Sequence, residues 1–418
     1  MTSIINSSNA NSALINTINA SESKHNPNIY STKKIYPAAA TTYVTTSKSS
    51  GSVGANQTMV FDLMKYGIAQ QLLLVYSKSK TGNADATISP YDFVDVIDRV
   101  ELLSSSKVID TLTRFDLLAQ FSDLDESQFN IVNTSAVAAR TNAASTHKFV
   151  IPLVFGFFKD INTNLNLQFN EPMSVRVRWG ANLKQASQAV DIAETSVYLK
   201  LRYKAYNESD FSEILTENYN EPELNQMSTG FYDENASIGT ITAPANSAGI
   251  TFGYDITKPG VKVELKNTDC VNNFYVIVRR NESYGGENIP NHQPKKILRI
   301  RFTASGQEIY DLSGEELFYS KLCANGFSIL TSGGSNIDNI CKIQTGLWEY
   351  SGGGTQSNTL SLRELNNPII EVWFEDSTFQ ANQQADQVRT YDVVVVEEAV
   401  KIYSTTSATG RVQTSLSN

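Results

Sequence analysis

The sequence predicts an all-β protein built from two similar antiparallel β-sandwich domains in tandem, with a few short helices in the loops. Three observations predict it: a composition biased toward strand and turn residues, a train of short alternating apolar segments, and an internal repeat. A chain of 418 residues is too long for one ordinary core and suits two. Apolar residues make up 41% and charged residues only 18%, and Ser, Thr, Asn and Gln dominate the remainder. Thr, Val, Tyr and Phe fit pleated strands, whereas Asn, Ser and Gly fit turns.

Along the chain, residues 1–56 read as a polar arm of Ser, Thr, Asn and Ala. Its charged groups are Lys24, Lys33, Lys34 and Lys48 against Glu22, so the arm is mildly basic. Ile4, Ile5, Leu14, Ile15 and Ile18 line one side of a weak helical pattern near its start. Strand-like segments follow at Gln57–Leu63, Ala69–Ser77, Phe93–Leu102, Asn164–Phe169, Val175–Trp179 and Tyr198–Tyr206. In Val175–Trp179 the residues Val175, Val177 and Trp179 share one face. A helical stretch interrupts them from Asp110 to Phe121. Short strands at this spacing, parted by turn residues, indicate sandwiches or barrels.

The repeat has a period near 200 residues. Phe61-Asp62-Leu63-Met64-Lys65-Tyr66-Gly67-Ile68 aligns with Tyr254-Asp255-Ile256-Thr257-Lys258-Pro259-Gly260-Val261. The stretch Val100–Leu112 aligns with Ile300–Leu312, and the register continues to Asp116-Leu117 against Glu316-Leu317. Glu171-Pro172-Met173 meets Asn367-Pro368-Ile369, Trp179 meets Phe374 at a shift of one, and Lys204-Ala205-Tyr206 meets Lys401-Ile402-Tyr403. The matches keep their order. They divide the chain into the arm at 1–56, a first sandwich at 57–207, a connector at 208–249 that reads as loop or short helix, a second sandwich at 250–404 and a tail at 405–418.

Charge and chemistry exclude several classes. The formal net charge is −9, and basic residues occur in no run longer than a pair, so the chain lacks the basic surface that phosphate neutralisation requires. No sequence-specific nucleic-acid binding is expected. Cys270, Cys323 and Cys341 are sparse and odd in number, which argues against a disulfide framework and leaves one bridge open. The start of the chain lacks the pattern of a signal peptide. The longest apolar run, Phe149–Phe158, is ten residues and too short to span hydrocarbon as a helix.

Only His25, His147 and His292 are present, far apart in sequence, so the His-x-His cluster of a metal-dependent bicupin is missing. No Gly-x-Ser-x-Gly elbow or phosphate-binding loop occurs, and Gly285-Gly286, Gly333-Gly334 and Gly352-Gly353-Gly354 read as loop tips. Asp123, Asp125 and Glu126 cluster without the spacing and glycine of a calcium loop. Glu397-Glu398 follows Val393-Val394-Val395-Val396 and reads as the end of a buried strand. No catalytic, cofactor or metal site is named.

Several of these segments resemble a known family. They are Phe61-Asp62-Leu63 with Lys65 and Gly67, the strand-turn-helix Val100–Leu118, and Ile151-Pro152-Leu153-Val154-Phe155-Gly156-Phe157-Phe158 read as a strand. The last is followed by Leu165-Asn166-Leu167-Gln168-Phe169-Asn170-Glu171-Pro172. The pattern resembles the double jelly-roll major capsid proteins of icosahedral DNA viruses, over most of 57–404. The resemblance implies two eight-stranded jelly rolls per chain, and homotrimers that present six similar domains as a pseudo-hexagon and tile an icosahedral shell. It further implies a location in the virion after synthesis in host cytoplasm. The implied partners are other capsomers, minor capsid, penton or cement proteins, and an internal membrane reached by the N-terminal arm. No cofactor is implied. Two other readings stay open: a two-domain jelly-roll protein that binds or acts on carbohydrate, and another surface assembly subunit such as an adhesin or spike.

Overall fold

The computed structural model describes residues 41–47, 49–80, 93–122, 145–158, 167, 171–181, 190–205, 223–231, 236–243, 250–252, 259–266, 270–280, 295–313, 316, 340–344, 360–362, 365–376, 389–406 and 412–416. The first half carries β1 (Thr41–Ser47), β2 (Ser49–Gly51), β3 (Thr58–Asp62), β4 (Ile68–Lys80), α1 (Phe93–Val96), β5 (Ile97–Ser104), β6 (Lys107–Thr113), α2 (Arg114–Ser122), β7 (Ser145–Pro152), β8 (Met173–Trp179), β9 (Val190–Ile192) and β10 (Tyr198–Ala205). The second carries β11 (Glu223–Phe231), β12 (Ser237–Ala243), β13 (Ile250–Phe252), β14 (Val261–Glu264), β15 (Cys270–Arg280), β16 (Lys296–Ala304), β17 (Gln307–Ser313), β18 (Cys341–Gln344), β19 (Leu360–Ser361), β20 (Ile369–Asp376), β21 (Arg389–Thr406) and β22 (Val412–Leu416).

These strands form four antiparallel sheets. In the first half, β1-β10-β4-β7 with β9 beside β4 faces β2-β3-β8-β5-β6. In the second, β11-β21-β15-β18 with β12, β19 and β22 faces β13-β20-β16-β17 with β14 beside β20. Each pair of sheets closes over apolar side chains. Leu72, Leu74, Leu199 and Leu201 meet Phe61, Val100, Val175 and Val177 in the first sandwich. Phe274, Val276, Val393 and Val395 meet Val263, Ile300, Phe302, Ile370 and Val372 in the second. Each such side chain, taken fully from water, contributes roughly 1.5–3 kcal/mol before the entropy of ordering it is set against it. The alternation in β8, whose Val175, Val177 and Trp179 point inward while Ser174, Arg176 and Arg178 stay half-exposed, is the one-face-in pattern of an antiparallel sheet.

The connectivity is that of a jelly roll. Among the main strands of the first half, β1 pairs with β10, β3 with β8, β4 with β7 and β5 with β6, which is one long antiparallel ribbon folded over itself. The second half repeats the ribbon: β11 and β12 pair with β21, β14 with β20, β15 with β18 and β16 with β17. The repeat extends to register. Val100 lies opposite Leu112 as Ile300 lies opposite Leu312, and each hairpin carries a bulge at the same step, after Leu102 and after Phe302. Ser105 and Ser305, at the two turns, both adopt left-handed backbone, with φ of 55° and 54°. A bulge also interrupts both β10–β4 and β21–β15, between Arg202 and Tyr203 and between Val271 and Asn273.

Several expectations change. The helix expected at Asp110–Phe121 begins at Arg114, because Asp110–Thr113 completes the hairpin with β5. Phe93–Val96 is a helical turn, and the strand starts at Ile97. The run Ile151–Phe158 is not one strand: β7 stops at Pro152, which has no N–H for the ladder, and Gly156–Phe158 is a 3₁₀ turn. The stretch 208–249, expected as loop or short helix, carries β11 and β12, both hydrogen-bonded to β21. Likewise β1 and β2 lie in the expected arm and β22 in the expected tail. The Phe61 alignment is displaced: Phe61 faces Val175 as Val263, not Tyr254, faces Ile370. Trp179 and Phe374 do correspond, opposite Ile97 and Ile297. The register shifts two other matches by one residue, so that Met173 corresponds to Pro368 and Lys204 to Val400. Asn164–Phe169, apart from Leu167, lies outside the described residues.

Candidate functional site between the two sandwiches

The sheet β11-β21-β15-β18 is buried on both faces. Val393 and Val395 of β21, with Phe274, Val276 and Val278 of β15, face the interior of the second sandwich. Val394 and Val396, with Tyr275 and Ile277, belong instead to the apolar cluster of the first sandwich, together with Phe231, Ile340 and Tyr403. Burial on both faces is why the sequence shows four valines in a row there, without alternation. The first half presents α2, β6 and the Gly156–Phe158 turn to this surface. Arg279 of β15 lies over the ring of Phe115 in α2, 5.0 Å from its centroid, and also reaches Asp392 at 3.8 Å.

A charged cluster sits in this seam. Asp110 of β6 is 1% exposed and Lys401 of β21 is 0% exposed. β15 pairs with β21 only as far as Ala399, so from Lys401 onward β21 runs past its own sandwich, flanked by β11 and β22. This overhang brings Lys401 and Tyr403 to the first half. The Lys401 Nζ donates to Asp110 Oδ1 at 2.9 Å, and the Thr111 N–H donates to the same oxygen at 3.0 Å. The Tyr403 hydroxyl and the Gly156 N–H both donate to Oδ2 at 2.9 Å. Each carboxylate oxygen therefore accepts two hydrogen bonds, which compensates for loss of water.

Gly156 is required at its position. A Cβ there would collide with the Tyr403 hydroxyl and ring, and Phe157 packs on that ring at 4.2 Å. A second buried acid lies further along the strand: Glu398 accepts from Asn273 Nδ2 at 2.6 Å and from the Tyr275 hydroxyl at 3.2 Å. Taking a carboxylate and an ammonium out of water costs several kcal/mol per ion, which only good geometry returns. A slipped seam would leave both ions bare, so the pair selects one docking of the two sandwiches over neighbouring ones.

The residues weighed for chemistry in the sequence are placed as follows. His147 lies in β7 opposite Lys78, and Cys341, in β18, is a half-buried thiol. His25, His292, Cys323, Asp123, Asp125, Glu126 and the glycine clusters at 285–286, 333–334 and 352–354 fall outside the described residues. Glu397 and Glu398 do not end their strand: β21 continues to Thr406, and both are buried within it. Among the described residues no group of three or more His, Cys, Asp or Glu is arranged to hold a metal ion, and no helix is long and apolar enough to cross a membrane. Sequence reasoning missed Asp110, Lys401, Tyr403 and Gly156 as a set. The one available signal was a break in the repeat, where Asp110 stands against Tyr310 inside an otherwise matching hairpin.

Two sandwiches of one topology, docked in a fixed way through a buried seam, define the double jelly-roll fold, the fold of major capsid proteins of icosahedral viruses. Solved structures similar to the chain include PBCV-1 VP54, fitted into a reconstruction of the virophage Sputnik. The TM-score is 0.62 at 11% identity, covering 92% of this chain and 99% of that one. The mavirus major capsid protein matches with a TM-score of 0.53 at 11% identity over 91% of each chain. The Faustovirus major capsid protein matches with a TM-score of 0.51 at 10% identity, over 94% of this chain and 98% of that one. At these identities the likeness is one of fold. No family model matches the sequence. No curated protein matches it either.

Proposed function

We propose that the chain is a viral major capsid protein: a structural unit and not an enzyme, forming homotrimers whose six sandwiches make a pseudo-hexagonal tile of an icosahedral shell. The observation that carries this is the duplication of one ribbon in matching registers, bulge for bulge. Three such chains supply six similar sides, which a hexagonal lattice needs, while closed three-fold symmetry limits the assembly to a defined particle. The buried Asp110–Lys401 pair supports the reading, because a tile must hold its two sandwiches at one angle. So does the shared fold of capsid proteins from the viruses named above.

The test is the solution mass of the purified protein by light scattering, followed by electron microscopy of any larger material. A mass near three times 46.1 kDa is the expected result. A monomer that persists across salt and concentration would overturn it and favour the carbohydrate-binding reading. In this proposal the protein resides in the virion, is made in host cytoplasm, and meets minor capsid, penton or cement proteins at lattice edges. The mildly basic stretch before β1 reaches inward toward an internal membrane. Deleting residues 1–30 is expected to leave trimers intact and to impair particle assembly, and normal particles from the truncated chain would refute that role.

A further inference from the structure

The two halves repeat each other closely enough to be confused during folding. The strands β3-β8-β5-β6 and their counterparts β14-β20-β16-β17 pair in the same order, with bulges at the same steps and the same left-handed turn residue. Many of their inward side chains are interchangeable as well. Val100, Leu102, Val175 and Val177 stand where Ile300, Phe302, Ile370 and Val372 stand in the second half. Apolar exchanges of similar volume are tolerated in a core at small cost, so packing alone discriminates weakly between a strand and its counterpart. A chain holding two such sets can pair a strand with the wrong copy, within one molecule or between two. Misassembly of this kind is a characteristic failure of repeat and multidomain proteins.

The outward row differs between the halves, and it differs in sign. In the first half Glu101 of β5 stands opposite Arg176 of β8, and the Arg176 Nε donates to the Glu101 carboxylate. At the same register in the second half Arg301 of β16 stands opposite Glu371 of β20, and the Arg301 guanidinium donates to that carboxylate. The ion pair is kept and its polarity is reversed. The flanking strands extend the second row: Lys262 of β14 lies opposite Glu371, and Asp311 of β17 lies opposite Arg301. Across the second half the row reads Lys262, Glu371, Arg301, Asp311, alternating in sign at every step. The corresponding row of the first half is Val60, Arg176, Glu101, Thr111.

Register then fixes what a misplaced strand would meet. In the place of β20, β8 would put Arg176 between Lys262 and Arg301. In the place of β16, β5 would put Glu101 between Glu371 and Asp311. The reverse exchanges set Glu371 against Glu101 and Arg301 against Arg176. Like charges directly opposite on neighbouring strands are destabilising. Glu101 and Glu371 are 6% and 4% exposed, so salt and water screen these contacts poorly. One step along the strands, Arg299 lies over the Trp373 ring, 4.9 Å from its centroid, and β8 would bring Arg178 to that place instead.

We propose that the reversed polarity of the Glu101–Arg176 and Arg301–Glu371 pairs sorts the strands of the two sandwiches during folding, so that each strand closes on its own half. This goes beyond the capsid reading and does not depend on it, since any chain with this duplication faces the same exchange.

The experiment is refolding of the full chain from denaturant, with the yield of native protein read by light-scattering mass and cooperative thermal unfolding. Glu101→Arg/Arg176→Glu keeps an ion pair in the first half but gives both halves one polarity, so that a misplaced β5 or β8 now complements the second half. The native yield is expected to fall severalfold, with the lost material in aggregates, while the fraction that is native melts close to the unsubstituted protein. A sixfold variant that adds Lys262→Glu, Glu371→Arg, Arg301→Glu and Asp311→Arg restores opposite polarity and is expected to recover the yield. It carries every substitution of the double variant and more, so a general loss of stability would lower its yield further instead. An unchanged yield in the double variant, or a sixfold variant that refolds no better than the double one, would overturn the proposal.

Discussion

Asp110 shows how one side chain fixes a relation between domains. It lies one residue after the bulge of its hairpin, and four donors from both halves of the chain converge on its carboxylate. Asp110→Ala leaves Lys401 buried without its counter-charge and is expected to cost about 3–5 kcal/mol in denaturant unfolding. Lys401→Met is expected to cost less, because three hydrogen-bond donors stay on the carboxylate and the methionine fills most of the lysine's volume. Equal losses in the two variants would mean that the charge pair, and not the hydrogen-bond set, dominates. At the other hairpin the chemistry differs. Arg299 forks onto Asp311, and these hydrogen bonds hold the Asp311 carboxyl below the usual carboxylate range. A carboxyl depressed in the folded state stabilises the fold above its ordinary pKa, and that contribution fades as pH falls through the depressed value. Asp311→Asn is therefore expected to lower stability at neutral pH by about 0.5–1 kcal/mol, the scale of a part-exposed pair. It should also flatten the fall in thermal midpoint below about pH 4, where an ordinary aspartate begins to protonate. An unchanged acid limb in the variant would count against the pair.

At the scale of elements, the hairpin and the helix that follows it were the most legible part of the chain. Val100–Leu112 and Ile300–Leu312 were matched from sequence, and the structure gives them identical pairing. The matched Asp116 and Glu316 turn out to close the same local device. The Thr113 N–H donates to Asp116 Oδ2 and the Asp116 N–H donates to Thr113 Oγ1, a reciprocal cap at the start of α2. Ser313 and Glu316 exchange the same bonds, and the Ser313 N–H and hydroxyl, both donating to Glu316 Oε2, hold that carboxyl below its usual range. The helix boundary was misread because Asp110–Thr113 has both helical and strand character locally, and only its cross-strand partner decides. Thr113→Ala removes the cap and is expected to cost about 1 kcal/mol in urea unfolding. Gly156→Ala should cost more, roughly 1–3 kcal/mol, since its methyl meets the Tyr403 ring in a packed seam. Adding Tyr403→Phe should relieve only part of that loss, because ring carbons as well as the hydroxyl meet the new methyl, and full relief would mean that the hydroxyl alone makes the clash. The alignment at Phe61 failed for the opposite reason: three identities fell by chance within eight positions, where the ribbon's real partner, Val263, offers little local likeness.

At the scale of the molecule, the duplication was legible and the docking of its two copies was not. Periodicity reports whether a residue points inward, but it cannot say which body covers an outward face. The run Val393–Val396 reads in the sequence as part of a buried strand and does not name what lies beyond it. The structure supplies the answer in its clusters. One cluster draws Tyr275, Ile277, Val394, Val396 and Tyr403 of the second half into the core of the first, while a separate one fills the second sandwich alone. The two sandwiches thus share a core along one face. Pulling them apart would expose that apolar surface and the Asp110–Lys401 pair together, and the pair alone is worth about 3–5 kcal/mol against the roughly 5–15 kcal/mol by which domains are commonly stable. Neither half is then expected to unfold while the other stays folded. Calorimetry of the full chain should show one transition, and Asp110→Ala should move it down in temperature without splitting it. Two resolved transitions in the unsubstituted chain would show that the sandwiches melt independently. The seam would then be a contact between finished domains, and a tile built on it would flex at its middle.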